Sequence, residues 1–455
     1  MGKSTKATRR FSNKANPYYK PLMIGICAVL TSGLISGPAN AGNLAISGAA
    51  NGGTIRVAAS TDRFAGAIES LTFRGVEYVD IADHGRQIQS AIQVDNLGEC
   101  YNPNEAGSNA DGTLPTSSSV LTSISNMGGV LTTQTRPAFW LAPGENYGRP
   151  CSPFTSVSTA QNSTVLSNFS IGRTTSFYGA AAPNVLVMNT RFVVPENRTS
   201  ASVEALTGYL PATFNTFLTY DRNTRTLTKL TATGSGQSTN TPIIVSRPNG
   251  AHAMGVMSNA IPRNEPNRQS YYAYVLFGGS TPTAKWSCVY NEYNITAGST
   301  YDYSCPIAVG TVDEVIAAMN AYPGAPVSDM VPVYRFTKSS RHFMTRSYSE
   351  AAGDGWGFET TGFHAFGGGG TGRHALYRCY NASIADHFVS TQANCEGFSQ
   401  EGVLGFASSS PSAGLMPLYR FYKGGNLKDH LITINYAEGA NNGYTYEGAL
   451  GYVAS

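Results

Sequence analysis

"LYRFYKGGNLKDHLIT", residues 418–433, is the third appearance of one pattern in this chain. It is preceded by "VYRFTKSSRHFMT" (333–345) and "LYRCYNASIADHFVST" (376–391). After a loop, each is followed by a closing segment: "GFETTGFHAF" (357–366), "GFSQEGVLGF" (397–406) and "GYTYEGALGY" (443–452). The starts at Tyr334, Tyr377 and Tyr419 lie 43 and 42 residues apart. Recurrence at a fixed period marks units that cannot bury their apolar faces alone and must pack against one another. Three of them predict a β-rich, trefoil-like module over residues 333–455, with an open stack of three as the alternative.

Within each unit a Tyr-Arg pair precedes a histidine: Tyr334-Arg335 and His342, Tyr377-Arg378 and His387, Tyr419-Arg420 and His430. Asp386 and Asp429 stand just before two of the histidines, Glu401 and Glu447 recur in the closing segments, and Thr361 matches them in the first unit. One reading makes these polar groups the internal hydrogen bonds of each unit. The other makes Tyr377, Arg378, Asp386, His387 and Glu401, and likewise Tyr419, Arg420, Asp429, His430 and Glu447, the linings of small pockets that gain avidity by repetition. The units resemble an uncharacterised bacterial tandem repeat running Tyr-Arg-Phe-Tyr, Asp-His-Phe, Gly-Tyr-x-x-Glu-Gly-x-x-Gly-Tyr, often appended to secreted hydrolases and wall-active proteins. The match covers residues 331–452, and the first unit departs from it at Arg341 and Thr361. The resemblance implies an accessory domain with a carbohydrate or cell-wall role and supplies no known ligand.

Outward from the repeats, "PGAPVSDMVP" (323–332) is punctuated by proline and places a linker at 326–332. Before it, "TVDEVIAAMNAY" (311–322) predicts a helix capped by Thr311, with Asp313 and Glu314 favouring its first turn. Upstream, "AIESLTFRGVEYVDI", "PNVLVMNTRFVV", "ASVEALTGYL", "FNTFLTYD" and "YYAYVLFGG" are short alternating runs separated by turn residues. They predict an antiparallel, supersandwich-like β-sandwich over residues 42–325, so that the fold is mainly β. The hairpin with the following "DHGRQIQ" is similar, over residues 60–90, to the start of galactose-mutarotase-like sandwiches, which recur in carbohydrate-active enzymes. None of that family's catalytic motifs is recognisable here.

The first forty residues bear on compartment. Six basic residues without an acid, an apolar stretch from Pro21 to Gly37, and Ala39-Asn40-Ala41 predict a secretory signal peptide over 1–41. Without it the formal charge passes from +3 to −3, and no basic run remains to attract nucleic acid or anionic membrane. The apolar stretch is too short and interrupted for a spanning anchor. Outside it stand six cysteines, and an exported chain predicts three disulfides. Sequential pairing keeps each within one structural unit: Cys100 with Cys151, Cys288 with Cys305, Cys379 with Cys395. The expected location is therefore secreted or periplasmic, in a bacterium.

In a chain only 13% charged, "DHGRQIQSAIQVDNLGECYNPNEAG" (83–107) is unusually rich in reactive side chains. A glycosidase needs two carboxylates about 5–9.5 Å apart, which Glu99 and Glu105, or either with Asp83 or Asp111, could supply. A lyase would use His84 or Tyr101 for proton transfer and Arg86 to neutralise a substrate carboxylate. A structural calcium would draw on Asp95, Asn96, Glu99, Asn102, Asn104 and Glu105; no other cofactor is called for. The opposing account is a turn pinned by Cys100, with Arg86 in a structural ion pair with Asp83 or Glu99. No GxSxG, HExxH, P-loop or dinucleotide fingerprint is present. The expected partner is a polysaccharide or cell-wall glycan, either bound and cleaved by a glycoside hydrolase or lyase site, or merely bound by a non-catalytic adhesion protein.

Overall fold

The computed structural model describes residues 44–258 and 268–455; the expected signal peptide lies outside them. Alternation governs the first part of the chain. In Val185–Val194 the side chains of Leu186, Met188, Thr190, Phe192 and Val194 are buried while Asn189 and Arg191 face solvent. A pleated strand with one apolar face must bury it against a second sheet. Here a ten-stranded and a seven-stranded antiparallel sheet do so, joined by a four-stranded one formed by Leu44–Ala50, Gly53–Ala59, Ile68–Phe73 and Val76–Glu77. The interior holds Phe192, Phe214, Phe217, Tyr272, Trp286 and Tyr290, each at most 1% exposed. Complete burial of one such side chain is worth about 1.5–3 kcal/mol.

Three disulfides join Cys100 to Cys151, Cys288 to Cys305 and Cys379 to Cys395, which fits an extracellular protein. No helix among the described residues is long and apolar enough to cross a membrane. The helix Val312–Ala321 begins at the Thr311 cap: Thr311 Oγ1 accepts from Glu314 N, and the Glu314 carboxylate accepts from Thr311 N. Glu314 also pairs with Arg74, in the turn between Ile68–Phe73 and Val76–Glu77, tying the start of the helix to that hairpin.

The C-terminal part repeats one three-stranded arrangement. In the first unit Met330–Lys338 pairs with Arg341–Thr345 on one side and Gly357–Phe366 on the other. Arg373–Asn381 is flanked in the same way by Asp386–Ser390 and Ser399–Ser408, and Met416–Lys423 by Asp429–Thr433 and Thr445–Val453. The three closing strands touch in a cycle, through Phe366 and Phe406, Ser408 and Tyr452, and His364 and Ala454. The module is therefore a closed ring around Val333, Leu376 and Leu418 with Met344, Val389 and Ile432. Its first unit shares an apolar core with the sandwich: Tyr334, Phe336, Tyr348 and Phe358 pack with Leu218, Leu227, Val315 and Met319.

Candidate functional site

The reactive stretch at residues 83–107 is spread over several environments. His84 is buried, with Nδ1 2.8 Å from the Gly112 carbonyl and Nε2 2.6 Å from the Arg63 carbonyl. Arg86 is held by Asp83 at 2.8 Å and donates to the Thr281 carbonyl at 2.8 Å. Tyr101 donates to Glu196 at 2.6 Å under the guanidinium of Arg198, and lines a separate polar cavity of about 420 Å³. Glu105 is wholly buried and accepts from Arg173 and from Ser90 N. These residues thus do not share one groove, because His84 and Glu105 lie in turns whose side chains are buried, where backbone carbonyls and Arg173 occupy them. The three carboxylates among the expected calcium donors are likewise engaged separately: Asp95 by Thr199, Ser200 and Arg198, Glu99 by Asn102, Glu105 by Arg173. Among the described residues no group of three or more acidic, histidine or cysteine side chains is placed to hold a metal.

An open groove of about 590 Å³ lies instead on the solvent face of the seven-stranded sheet. The alternation that sends Ala201, Val203 and Tyr290 inward sends Ser200, Ser202, Asn291 and Tyr293 outward from Arg198–Pro211 and Thr283–Ile295. Gln93 and Tyr271 from the flanking strands complete its floor. Its wall is the loop carrying Phe154, which is 78% exposed. The Cys100–Cys151 disulfide pins that loop, and Gly98 lets it approach: a Cβ there would lie 2.1 Å from the Cys151 carbonyl oxygen, at a φ of +54°.

Beside the groove, on the same face, stands a charged cluster. Lys285 Nζ is 2.9 Å from Glu204 Oε1 and lies over the Tyr209 ring, 5.3 Å from its centre. Burial works against the ammonium, but Glu204, Tyr209 and Glu99 outweigh it and hold the Lys285 pKa above its ordinary value. Burial pushes the Glu99 carboxyl up; Asn102 and Lys285 oppose the shift and Glu204 adds to it. Of the residues singled out from sequence, only Glu99 belongs to this cluster. Glu204 and Lys285 sit 81 positions apart and meet only through sheet pairing. The one local signal was an acid at an outward position of "ASVEAL", between the inward Val203 and Ala205.

In the ring the polar residues of each unit engage those of the next. Arg378 Nε donates to Glu401 of its own unit at 3.1 Å, while Nη2 reaches Glu350 of the first unit at 2.7 Å. Arg420 does the same with Glu447 at 2.9 Å and Glu396 of the second unit at 2.6 Å. Arg335 closes the cycle with Glu359 at 2.8 Å and Glu438 of the third unit at 2.7 Å. The first unit's glutamate is thus Glu359. The match to Thr361 is corrected by the bulges in this strand, which leave Glu359 between the paired residues Phe358 and Thr360. Thr361 instead accepts from Leu227 N and donates to Leu227 O, tying the ring to the sandwich.

The histidines follow the same cycle. His342 Nδ1 lies 2.7 Å from Asp429 of the third unit, and His430 Nδ1 lies 2.5 Å from Asp386 of the second. Arg341 stands where the first unit would place an aspartate, so His387 turns to Glu401 at 3.0 Å. Burial opposes the His430 imidazolium, yet Asp386 and Glu447 outweigh it and push the pKa up to about 9. Tyr377 packs on the Cys379–Cys395 disulfide, and Tyr419 joins a cluster of four aromatic rings.

The family described as "Domain of unknown function (DUF5648)" matches residues 332–454. No curated protein matches the chain. Among solved structures, a heparan sulfate lyase from Pedobacter heparinus aligns at 9% identity with a TM-score of 0.33, covering 60% of this chain and 36% of the lyase. A galactose mutarotase related enzyme from Lactobacillus acidophilus aligns at 10% identity and a TM-score of 0.33, covering 60% of this chain and 99% of that one. An α-galactosidase from Geobacillus stearothermophilus aligns at 9% identity and 0.27, covering 60% and 42%. The chain therefore spans well under half the length of the lyase and the galactosidase.

Proposed function

We propose that this chain is an exported glycan-engaging protein whose ligand lies in the groove on the seven-stranded sheet. The observation that carries the reading is the lining: the rings of Tyr271, Tyr293 and Phe154 alternate with the amides of Gln93 and Asn291 and the hydroxyls of Ser200 and Ser202. Aromatic faces stack on the C–H faces of sugars while amides and hydroxyls bond their hydroxyl groups, and a handful of such groups in a shaped cleft sets orientation. The experiment is a binding screen of the full chain against a polysaccharide panel, repeated with Phe154→Ala and Tyr293→Ala. Both variants are expected to lose binding at unchanged thermal stability. Retained affinity in both would remove the groove from consideration.

The charged cluster favours a second, catalytic reading of the same face. Glu99, raised by burial, is a carboxyl suited to give a proton to a leaving group, and Glu204, ion-paired to Lys285 at 2.9 Å, is the second carboxyl of the pair, suited to act as base or nucleophile. Product release from a bound polysaccharide separates this from the adhesion reading. Binding without any released sugar leaves the protein a non-catalytic adhesin.

A further inference from the structure

The first and third units of the ring carry the same four-ring cluster at equivalent positions. In the first, Tyr334, Phe336, Tyr348 and Phe358 pack in edge-to-face and tilted contacts at centroid distances of 5.3–6.0 Å. In the third, Tyr419, Phe421, Tyr436 and Tyr446 do so at 5.2–6.4 Å. Strand register makes the correspondence: Phe336 pairs with Phe358 as Phe421 pairs with Tyr446, and Tyr348 and Tyr436 each follow the cap residue of a short helix. Their surroundings differ. The first cluster is at most 7% exposed because the sandwich covers it with Leu218, Leu227 and Met319. In the third, Tyr436 is 46% and Tyr446 42% exposed.

The chemistry has changed with the exposure. Where the covered cluster has Phe358, the bare one has Tyr446, so three of its four rings carry hydroxyls, and none of these makes a hydrogen bond among the described residues. The covered face carries two phenols, Tyr334 and Tyr348, both shut away under the sandwich; its bare counterpart carries three, two of them turned to solvent. Tyr436 and Tyr446 stand at 64° to one another, 5.3 Å apart, and form a corner with Tyr419. Contiguous exposed aromatic rings are a feature of ligand-binding surfaces, and rings with free phenol hydroxyls suit a sugar, its C–H face on one ring and its hydroxyls on the phenols.

We infer that the third unit carries a second glycan site, formed by Tyr419, Tyr436 and Tyr446, for a neutral polysaccharide. It is built from residues other than those of the groove and stands or falls separately from it. Two sites on one chain raise the apparent affinity for a polymer that reaches both.

The test uses the full chain carrying Phe154→Ala and Tyr293→Ala, which silences the groove, and measures retention on insoluble cellulose, chitin and mannan. Retention on at least one is expected, with Tyr436→Ala or Tyr446→Ala weakening it about tenfold or more and Tyr446→Phe less. In the unsubstituted chain the retained polymer's soluble oligosaccharide should protect Tyr436 and Tyr446 from O-acetylation by N-acetylimidazole, mapped by mass spectrometry. That readout needs no variant to fold. No retention on any of the three polymers, or neither loss nor protection, overturns the site. So does a dimer in solution that Tyr436→Ala or Tyr446→Ala converts to monomer, since the face would then belong to a second copy of the chain.

Discussion

Glu105 and Arg173 form an ion pair between the two sheets of the sandwich, their side chains 0% and 1% exposed. Arg173 also donates to the Gly66 carbonyl at 2.9 Å, and Glu105 accepts from Ser90 N at 2.8 Å, so the pair is bonded on all sides. Breaking a buried pair leaves one charge uncompensated, at a cost of about 3–5 kcal/mol, while replacing both partners with apolar side chains is often neutral. Glu105→Ala should therefore unfold at markedly lower urea, and Glu105→Leu with Arg173→Met should recover most of the loss. A Glu105→Ala protein as stable as the parent would reject the structural role and return Glu105 to the list of candidate catalysts.

The His430 joint sets a pH dependence. Its pKa is raised from 6.5 to about 9 in the folded chain, so the stabilisation it brings is complete below pH 6.5 and is lost as the pH rises through 9. The side chain is 14% exposed, and after allowance for solvent screening the loss is on the order of 2 kcal/mol. Calorimetry across that window should show the melting temperature falling toward alkaline pH in the parent. His430→Gln should lower the acid-side value and flatten the slope; an unchanged slope would mean that other groups carry it.

Two substitutions separate binding from chemistry at the sheet face. Glu99→Gln keeps the Asn102 contact but cannot give up a proton, and Glu204→Gln removes the negative partner of Lys285. If the chain cleaves the glycan it binds, each should lower kcat by about 10²–10⁴ with little change in KM. Loss of binding in proportion to activity would instead make them ligand contacts.

The parts of this architecture written in local pattern were legible in the sequence. Alternation in "PNVLVMNTRFVV" gave the strand Val185–Val194, and the Thr311 cap with Glu314 gave the helix. The recurrence of Tyr-Arg and the closing segments gave the three units. What pattern does not encode is register. The bulges beside Arg335 leave Glu359 to take the position that alignment by letters gave to Thr361. The pairing of Glu204 with Lys285 likewise depends on how two long strands lie side by side. His84 and Glu105 read as reactive because a sequence states side-chain type; the turns that fold them inward onto the Gly112 and Arg63 carbonyls and onto Arg173 are set by tertiary packing.

The second unit supplies a last experiment, because there a disulfide replaces an aromatic pair. Cys379 holds the register position of Phe336 and Phe421, and Cys395 follows the cap Asn394 as Tyr348 and Tyr436 follow theirs. In the flanking units those positions are rings 5.3 Å apart. Closing a loop of this size is worth about 3 kcal/mol, and a packed aromatic pair about 0.5–1.5 kcal/mol beyond its burial. Serine at both positions should thus cost roughly 2–4 kcal/mol in chemical denaturation. Cys379→Phe with Cys395→Tyr should recover a large part of that and, unlike the parent, keep its stability under reductant. A Phe-Tyr protein no more stable than the Ser-Ser one would mean that the second unit's backbone has diverged too far to accept its neighbours' packing.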